Sequence, residues 1–105
     1  MDQAGQRVDL EQYRETRHVV LEGTLGATPV HVVITPYAQG RMRRRDIDES
    51  EVIDVLSLPR SSHGRGKTDG RYEVAGNTHH RSLRVIYERP NPEIVLVITA
   101  HQESD

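Results

Sequence analysis

The reading of the chain turns on Tyr37–Leu58, YAQGRMRRRDIDESEVIDVLSL. Thr35-Pro36 just ahead of it offers an N-cap hydroxyl and then a proline, which is best tolerated at the first helical position, so a helix is expected to begin there. Along that helix Tyr37, Arg41 and Arg44 or Arg45 share one side, and Ala38 and Met42 share the neighbouring one. Gly40 in its middle costs about 1 kcal/mol relative to alanine, which suggests a close packing contact at that point. Beyond Asp46-Ile47, Asp48 and Glu51 have the spacing of an N-cap and a reaching-back N3 carboxylate. Val52, Ile53, Val55 and Leu56 follow at helical spacing, with Glu49, Ser50 and Asp54 outward, and Pro59 ends the segment.

Working outward, residues 1–17 read as an N-terminal extension, with one or two helical turns over Asp9–Arg17. His18–Glu22 and Val30–Thr35 are β-branched runs separated by GTLGATP, which predicts a hairpin with Val30, Val32 and Ile34 on one face and His31 and Val33 on the other. Ser61–Gly70, SSHGRGKTDG, is a loop by composition. Arg71–Ala75 and Ser82–Glu88 alternate as half-buried strands do, and Ile94–Ala100, IVLVITA, is continuously apolar, as for a strand at the sheet centre. The expected architecture is α+β: a single domain over residues 18–105, in which an N-terminal hairpin and two helices pack on a small antiparallel sheet.

The chain has 105 residues, enough for one modest core. It contains no Phe, Trp or Cys, so that core is built from Val, Ile, Leu and a few Tyr. Without cysteine, thiol nucleophiles, disulfides and Cys-ligated zinc drop out. No apolar run of about eighteen residues and no secretory leader pattern is present. The expectation is a cytoplasmic site of action and no membrane partner, with delivery into other cells left open. Net charge is −2, which argues against nucleic-acid binding through overall charge, but its distribution is uneven. Between residues 60 and 89 the cations Arg60, Arg65, Lys67, Arg71, Arg81, Arg84 and Arg89 face only Asp69, Glu73 and Glu88. Lys67 is the sole lysine, and guanidinium suits bidentate recognition of phosphate or carboxylate.

Several residues are candidates for chemistry. Arg41, Arg43, Arg44 and Arg45 fan around the helix by about 100° each, so at most two can address one ligand. Arg41 and Arg45, aligned with Tyr37, are the pair chosen; the alternative is that they pair with the Asp48–Asp54 carboxylates or solvate the helix. The Gly64–Lys67 stretch lacks P-loop spacing; it leaves a basic loop that, with Arg65, Lys67 and the nearby Arg81, could bind RNA. Six histidines are present, none at the spacing of a helical metal motif, so no metal or cofactor is expected. His101, just after the central strand, is singled out as a proton-transfer group. Arg84 and Thr99 interrupt strands that otherwise supply the core, and a half-buried guanidinium must find an acceptor or an anion. One register across RPNPE would put Arg84 opposite Thr99, and the next opposite Ile98.

Together these segments resemble an uncharacterised bacterial family with the pattern H-A-x-x-R-M-x-x-R-x-I, an acidic-capped helix, L-x-x-P, G-R-x-x-(Y/V), L-x-V-V-Y and V-V-T-x-Y. The likeness covers about residues 35–101. Ala38, Arg41, Met42, Arg45 and Ile47 match the first motif, Gly70 and Arg71 the second, and Leu83–Tyr87 and Thr99 the strands; Tyr37 stands where the family usually has His. The resemblance implies a compact fold akin to RelE and barnase, found among small ribonuclease toxins. It further implies RNA as substrate, a cognate antitoxin or immunity protein as partner, and no metal. Arg41, Arg45, Arg71 and Arg84 would then supply charge to the phosphate, and Tyr37 and His101 would move protons.

Overall fold

A computed structural model describes residues 10–58, 64–65 (backbone alone) and 70–103. Asp9, where the expected helical turns begin, lies outside the described residues; among those described, a short helix α1 runs over Leu10–Glu15. The hairpin strands β1 (Val19–Leu25) and β2 (Thr28–Ile34) pair antiparallel, with Val19 opposite Ile34 and Leu25 opposite Thr28. Both reach further than the sequence suggested, because the turn contracts to Gly26-Ala27. Gly26 has φ +60°, as the first position of a type II′ turn requires and a side chain would oppose.

The central stretch forms two helices. In α2 (Pro36–Arg44), the Ala38 N–H donates to Thr35 Oγ1 at 3.0 Å, and Pro36 occupies the start of the helix. The helix closes in a Schellman turn: Asp46 takes φ +57°, and the Ile47 N–H returns to the Met42 carbonyl at 2.9 Å. Met42 and Ile47 are both buried, the apolar contact that accompanies this turn. In α3 (Glu49–Ser57) the Asp48 N–H donates to Glu51 at 3.0 Å, and Val52, Val55 and Leu56 are fully buried.

The glycine expectation is corrected. A Cβ on Gly40 would meet nothing within 4 Å, so no close contact explains it. The close approach is at Gly23 in β1, where a Cβ would lie 3.0 Å from Val32 Cγ2 and 3.1 Å from Ile53 Cδ1. Glycine there lets α3 settle against the hairpin.

The remaining strands are β3 (Gly64–Arg65), β4 (Arg71–Asn77), β5 (Ser82–Glu88) and β6 (Ile94–Gln102), and the six-stranded sheet has the order β1-β2-β6-β5-β4-β3. The fold is α+β, but the sheet is mixed rather than antiparallel. β2 and β6 run parallel, from His31 opposite Ile94 to Ile34 opposite Val97. Tight turns dictate antiparallel pairing within the hairpin and from β4 to β6. The junction between these two units is non-local, and parallel neighbours need a long crossover of the kind that α2 and α3 supply.

Alternation then sorts the sheet into two faces. Val30, Val32, Ile34, Val74, Leu83, Val85, Tyr87, Val95 and Val97 join Ala38, Met42, Val52, Val55 and Leu56 in one core beneath the helices. Each large aliphatic side chain so buried contributes about 1.5–3 kcal/mol. The opposite face carries His31, Arg71, Glu73, Arg84 and His101, set by register. One mismatch of length positions everything that follows. β2 accompanies β6 only as far as Val97, where the Thr35 N–H donates to the Val97 carbonyl at 3.3 Å. From Ile98 onward β6 has β5 on one side and helix α2 on the other.

Candidate functional site

Arg45, at the C-cap of α2, covers the open side of β6. Its Nη1 donates to the Ala100 carbonyl at 2.8 Å and reaches Thr99 Oγ1 at 3.5 Å. Thr99 is thus a contact of Arg45, at the long limit of a hydrogen bond. One turn earlier, Arg41 stacks its guanidinium on Tyr37, with Cζ 5.3 Å from the ring centroid, within the range of a cation–π contact. The Arg41 Nε is buried and has no hydrogen-bond partner among the described residues. Neither Arg41 nor Arg45 forms an ion pair with a described carboxylate. Helix α2 therefore presents Tyr37, Arg41 and Arg45 as a ladder, as its 3.6-residue period predicts.

Arg84 and His101 lie on the sheet close enough to this ladder for its charges to act on His101. The register is neither of the two expected: Arg84 stands opposite His101, and Thr99 opposite Ile86. An irregularity between Ile86 and Tyr87 shifts the pairing, after which Tyr87 faces Val97. Such an extra residue in one strand is invisible to alternation. Arg84 is forked between two acids, with Nη1 2.7 Å from Glu73 Oε1 and Nη2 2.7 Å from Glu103 Oε2. Its charge is therefore compensated and its position fixed.

His101 responds to this setting. Burial holds its pKa below the usual imidazole value, the charges of Arg45, Arg84 and Arg41 push the same way, and Glu103 opposes them. A neutral imidazole at neutral pH can accept a proton. Two guanidiniums without a carboxylate partner among the described residues, Arg41 and Arg45, are suited to the oxygens of a phosphate. Among the described residues, no three His, Asp or Glu side chains gather as metal ligands.

The other expected site residues lie elsewhere. Arg71 shares the face of Arg84 and pairs through Nε with Glu88 Oε2 at 3.0 Å. Arg84 faces Ala75 on β4, so Arg71 is four residues away along that strand, about 13 Å. Arg65 pairs its backbone with Tyr72 in β3; its side chain, and the whole of Lys67, lie outside the described residues. Arg81 is a structural strut. It grips the buried Glu51 through Nε and Nη2, both at 3.1 Å, and its Nη2 donates to the Asp46 carbonyl at 2.6 Å. Thr78 adds a hydroxyl donor to Glu51 at 3.0 Å. Burial pushes the Glu51 carboxyl up, but the Asp48 N–H, Arg81 and Thr78 outweigh it and hold the group below its ordinary value.

The residues that sequence reasoning passed over are acids: Glu73 and Glu103, which hold Arg84, and Glu51, which holds Arg81. A signal for Glu51 was present, since it lies one turn before Val55 on the apolar side of its helix, where a carboxylate needs a cation. Compared with known proteins, the chain matches no protein-family model, no curated protein and no solved structure.

Proposed function

We infer that this domain is a metal-independent ribonuclease of the bacterial toxin type, acting on RNA in the cytoplasm. The observation that carries the reading is a cationic helix side next to an imidazole. Arg41 and Arg45 have no carboxylate partner among the described residues, Arg45 is bonded to the strand one residue before His101, and the charges of both act to lower the His101 pKa. In this reading Arg41 and Arg45 bind the non-bridging oxygens of a phosphodiester and stabilise the charge that grows on them. His101 takes the proton of the 2′-hydroxyl, the 2′-oxygen bonds to phosphorus, and the bond to the 5′-oxygen breaks, leaving a 2′,3′-cyclic phosphate. The expelled 5′-oxygen takes its proton from water at the open rim beside Tyr37. Arg84 is a positioning residue, opposite His101 and pinned by Glu73 and Glu103. The resemblance to a bacterial family whose implied fold is akin to RelE and barnase supports the same chemistry and suggests a cognate antitoxin or immunity protein.

The test is cleavage of an unstructured RNA in the presence of a chelator. His101→Ala should slow cleavage by about 10²–10⁴-fold, with an unchanged circular dichroism spectrum. RNA left intact by the wild-type protein, or cut equally fast by His101→Ala, would sink the reading. A second reading, a catalytically silent RNA- or protein-binding module, draws support from Tyr37 standing where the resembled family has His. It predicts salt-dependent binding without cleavage.

A further inference from the structure

We propose that Tyr37 is a stacking platform for an unpaired base, so that the site takes single-stranded rather than duplex RNA. This inference rests on the ribonuclease reading for its ligand and on separate geometry for its content. Tyr37 is 59% exposed, and the only other described large apolar side chain so exposed is Leu58. A tyrosine in the open, on a protein with so few aromatic residues, has not been placed there by the core. Its hydroxyl makes no hydrogen bond among the described residues, so nothing orients it as a proton donor. Its ring, by contrast, is oriented. The Arg41 guanidinium sits 5.3 Å from the ring centroid, and the rest of the ring is open to solvent.

A guanidinium under an aromatic ring does two things here. It fixes the plane of the ring, and it couples that plane to the cation that would hold the phosphate. A base laid on Tyr37 would bring its backbone toward Arg41 and, one helical turn further on, toward Arg45. Stacking on an aromatic side chain requires a base that has left its helix. It is tolerant of base identity, because every base offers a flat face. Duplex RNA keeps its bases stacked on one another and offers the platform nothing.

The experiment measures binding rather than turnover, using a fluorescein-labelled, fully 2′-O-methylated oligoribonucleotide that cannot be cleaved, single-stranded or annealed to its complement. Anisotropy titrations compare wild type, Tyr37→Phe, Tyr37→Leu and Arg41→Ala. Tyr37→Phe should bind the single strand like wild type, and Tyr37→Leu about 5- to 150-fold more weakly, with duplex binding unaltered. Tyr37→Phe as damaging as Tyr37→Leu would overturn the proposal by making the hydroxyl the active part. Equal affinity of the wild type for single strand and duplex would overturn it as well. Should binding depend on Arg41 while Tyr37→Leu is neutral, the platform falls and the phosphate site survives. If no form binds either oligonucleotide, both fall together. Because Tyr37 is exposed, none of these variants should compromise folding, and a thermal melt checks that.

Discussion

Two arginine clusters, joined through helix α2 and the turn after it, follow opposite rules. Around Arg81 every polar group is matched: Glu51 accepts from Arg81, Thr78 and the Asp48 backbone, and the Asp46 carbonyl takes a further guanidinium proton. Around His101, Arg41 has an unmet Nε and Arg45 spends its hydrogen bonds on a threonine and a backbone carbonyl. The first cluster ties the turn between α2 and α3 to the β4–β5 connection. The second pairs Arg84 with Glu73 and Glu103 but leaves Arg41 and Arg45 without a carboxylate partner among the described residues. Burying a charge with all its partners gives rigidity, whereas a guanidinium without a carboxylate keeps donors to spare.

This contrast predicts a graded set of effects. The largest is at the matched cluster: Glu51→Ala strands the Arg81 charge in a half-closed site and should cost about 3–5 kcal/mol in urea denaturation. The pH profile has a definite sign. The Glu51 pKa is lowered in the folded state, so the unfolded chain takes the proton first as pH falls. Its stabilisation is complete above the unfolded value of about 4.3 and is lost as the pH drops through the folded value. In Glu51→Gln that acid-side slope should flatten.

Arg45→Ala comes next. It leaves the Ala100 carbonyl without its donor and should cost about 1–3 kcal/mol, which would mark Arg45 as part scaffold and part site. Gly40→Ala, on the same helix, should stabilise by about 1 kcal/mol because open space receives the methyl group. A loss instead would mean that the bare backbone at Gly40 is itself needed. Smallest in stability is Arg41→Ala, within about 0.5 kcal/mol of wild type, since its described contact is with the exposed Tyr37 ring. It should nevertheless raise the His101 pKa, readable in an NMR titration of the imidazole, by removing one of the cations that lower it. In the wild type, stability should fall as pH drops below about 6.5, because the unfolded histidine protonates before the folded one.

What was legible in the sequence was what local chemistry decides. The helix after Asp48 could be placed because its cap and its apolar period lie within a dozen residues. The strands at Arg71 and Ser82 announced themselves by alternation, the strand at Ile94 by its unbroken apolar run, and the Thr35 cap by its proline. What was not legible depends on residues far apart in the chain. Nothing in Val30–Ile34 says that its second neighbour will run parallel to it. The shift between Ile86 and Tyr87 set Arg84 opposite His101, and no alternation pattern encodes an extra residue in one strand. Arg81 looked like another loop cation because its partner, Glu51, lies thirty residues earlier on a helix read for its cap. The site residues were named in part for their type, and the sheet then brought Arg84 and His101 to the helix and left Arg71 behind.

The place where β2 ends has a further consequence. Thr35 gives the last backbone hydrogen of that strand to β6, and the next residue, Pro36, has no N–H to give. The position of the cluster along the sheet is thereby set by an imino acid rather than by any charged residue. With that proline two positions later, Ile98–Ala100 would be offered a strand partner, and His101 would lie against a continuous ladder instead of at its interruption. In this domain, the free edge of β6 beside α2 is a matter of where one backbone proton is missing.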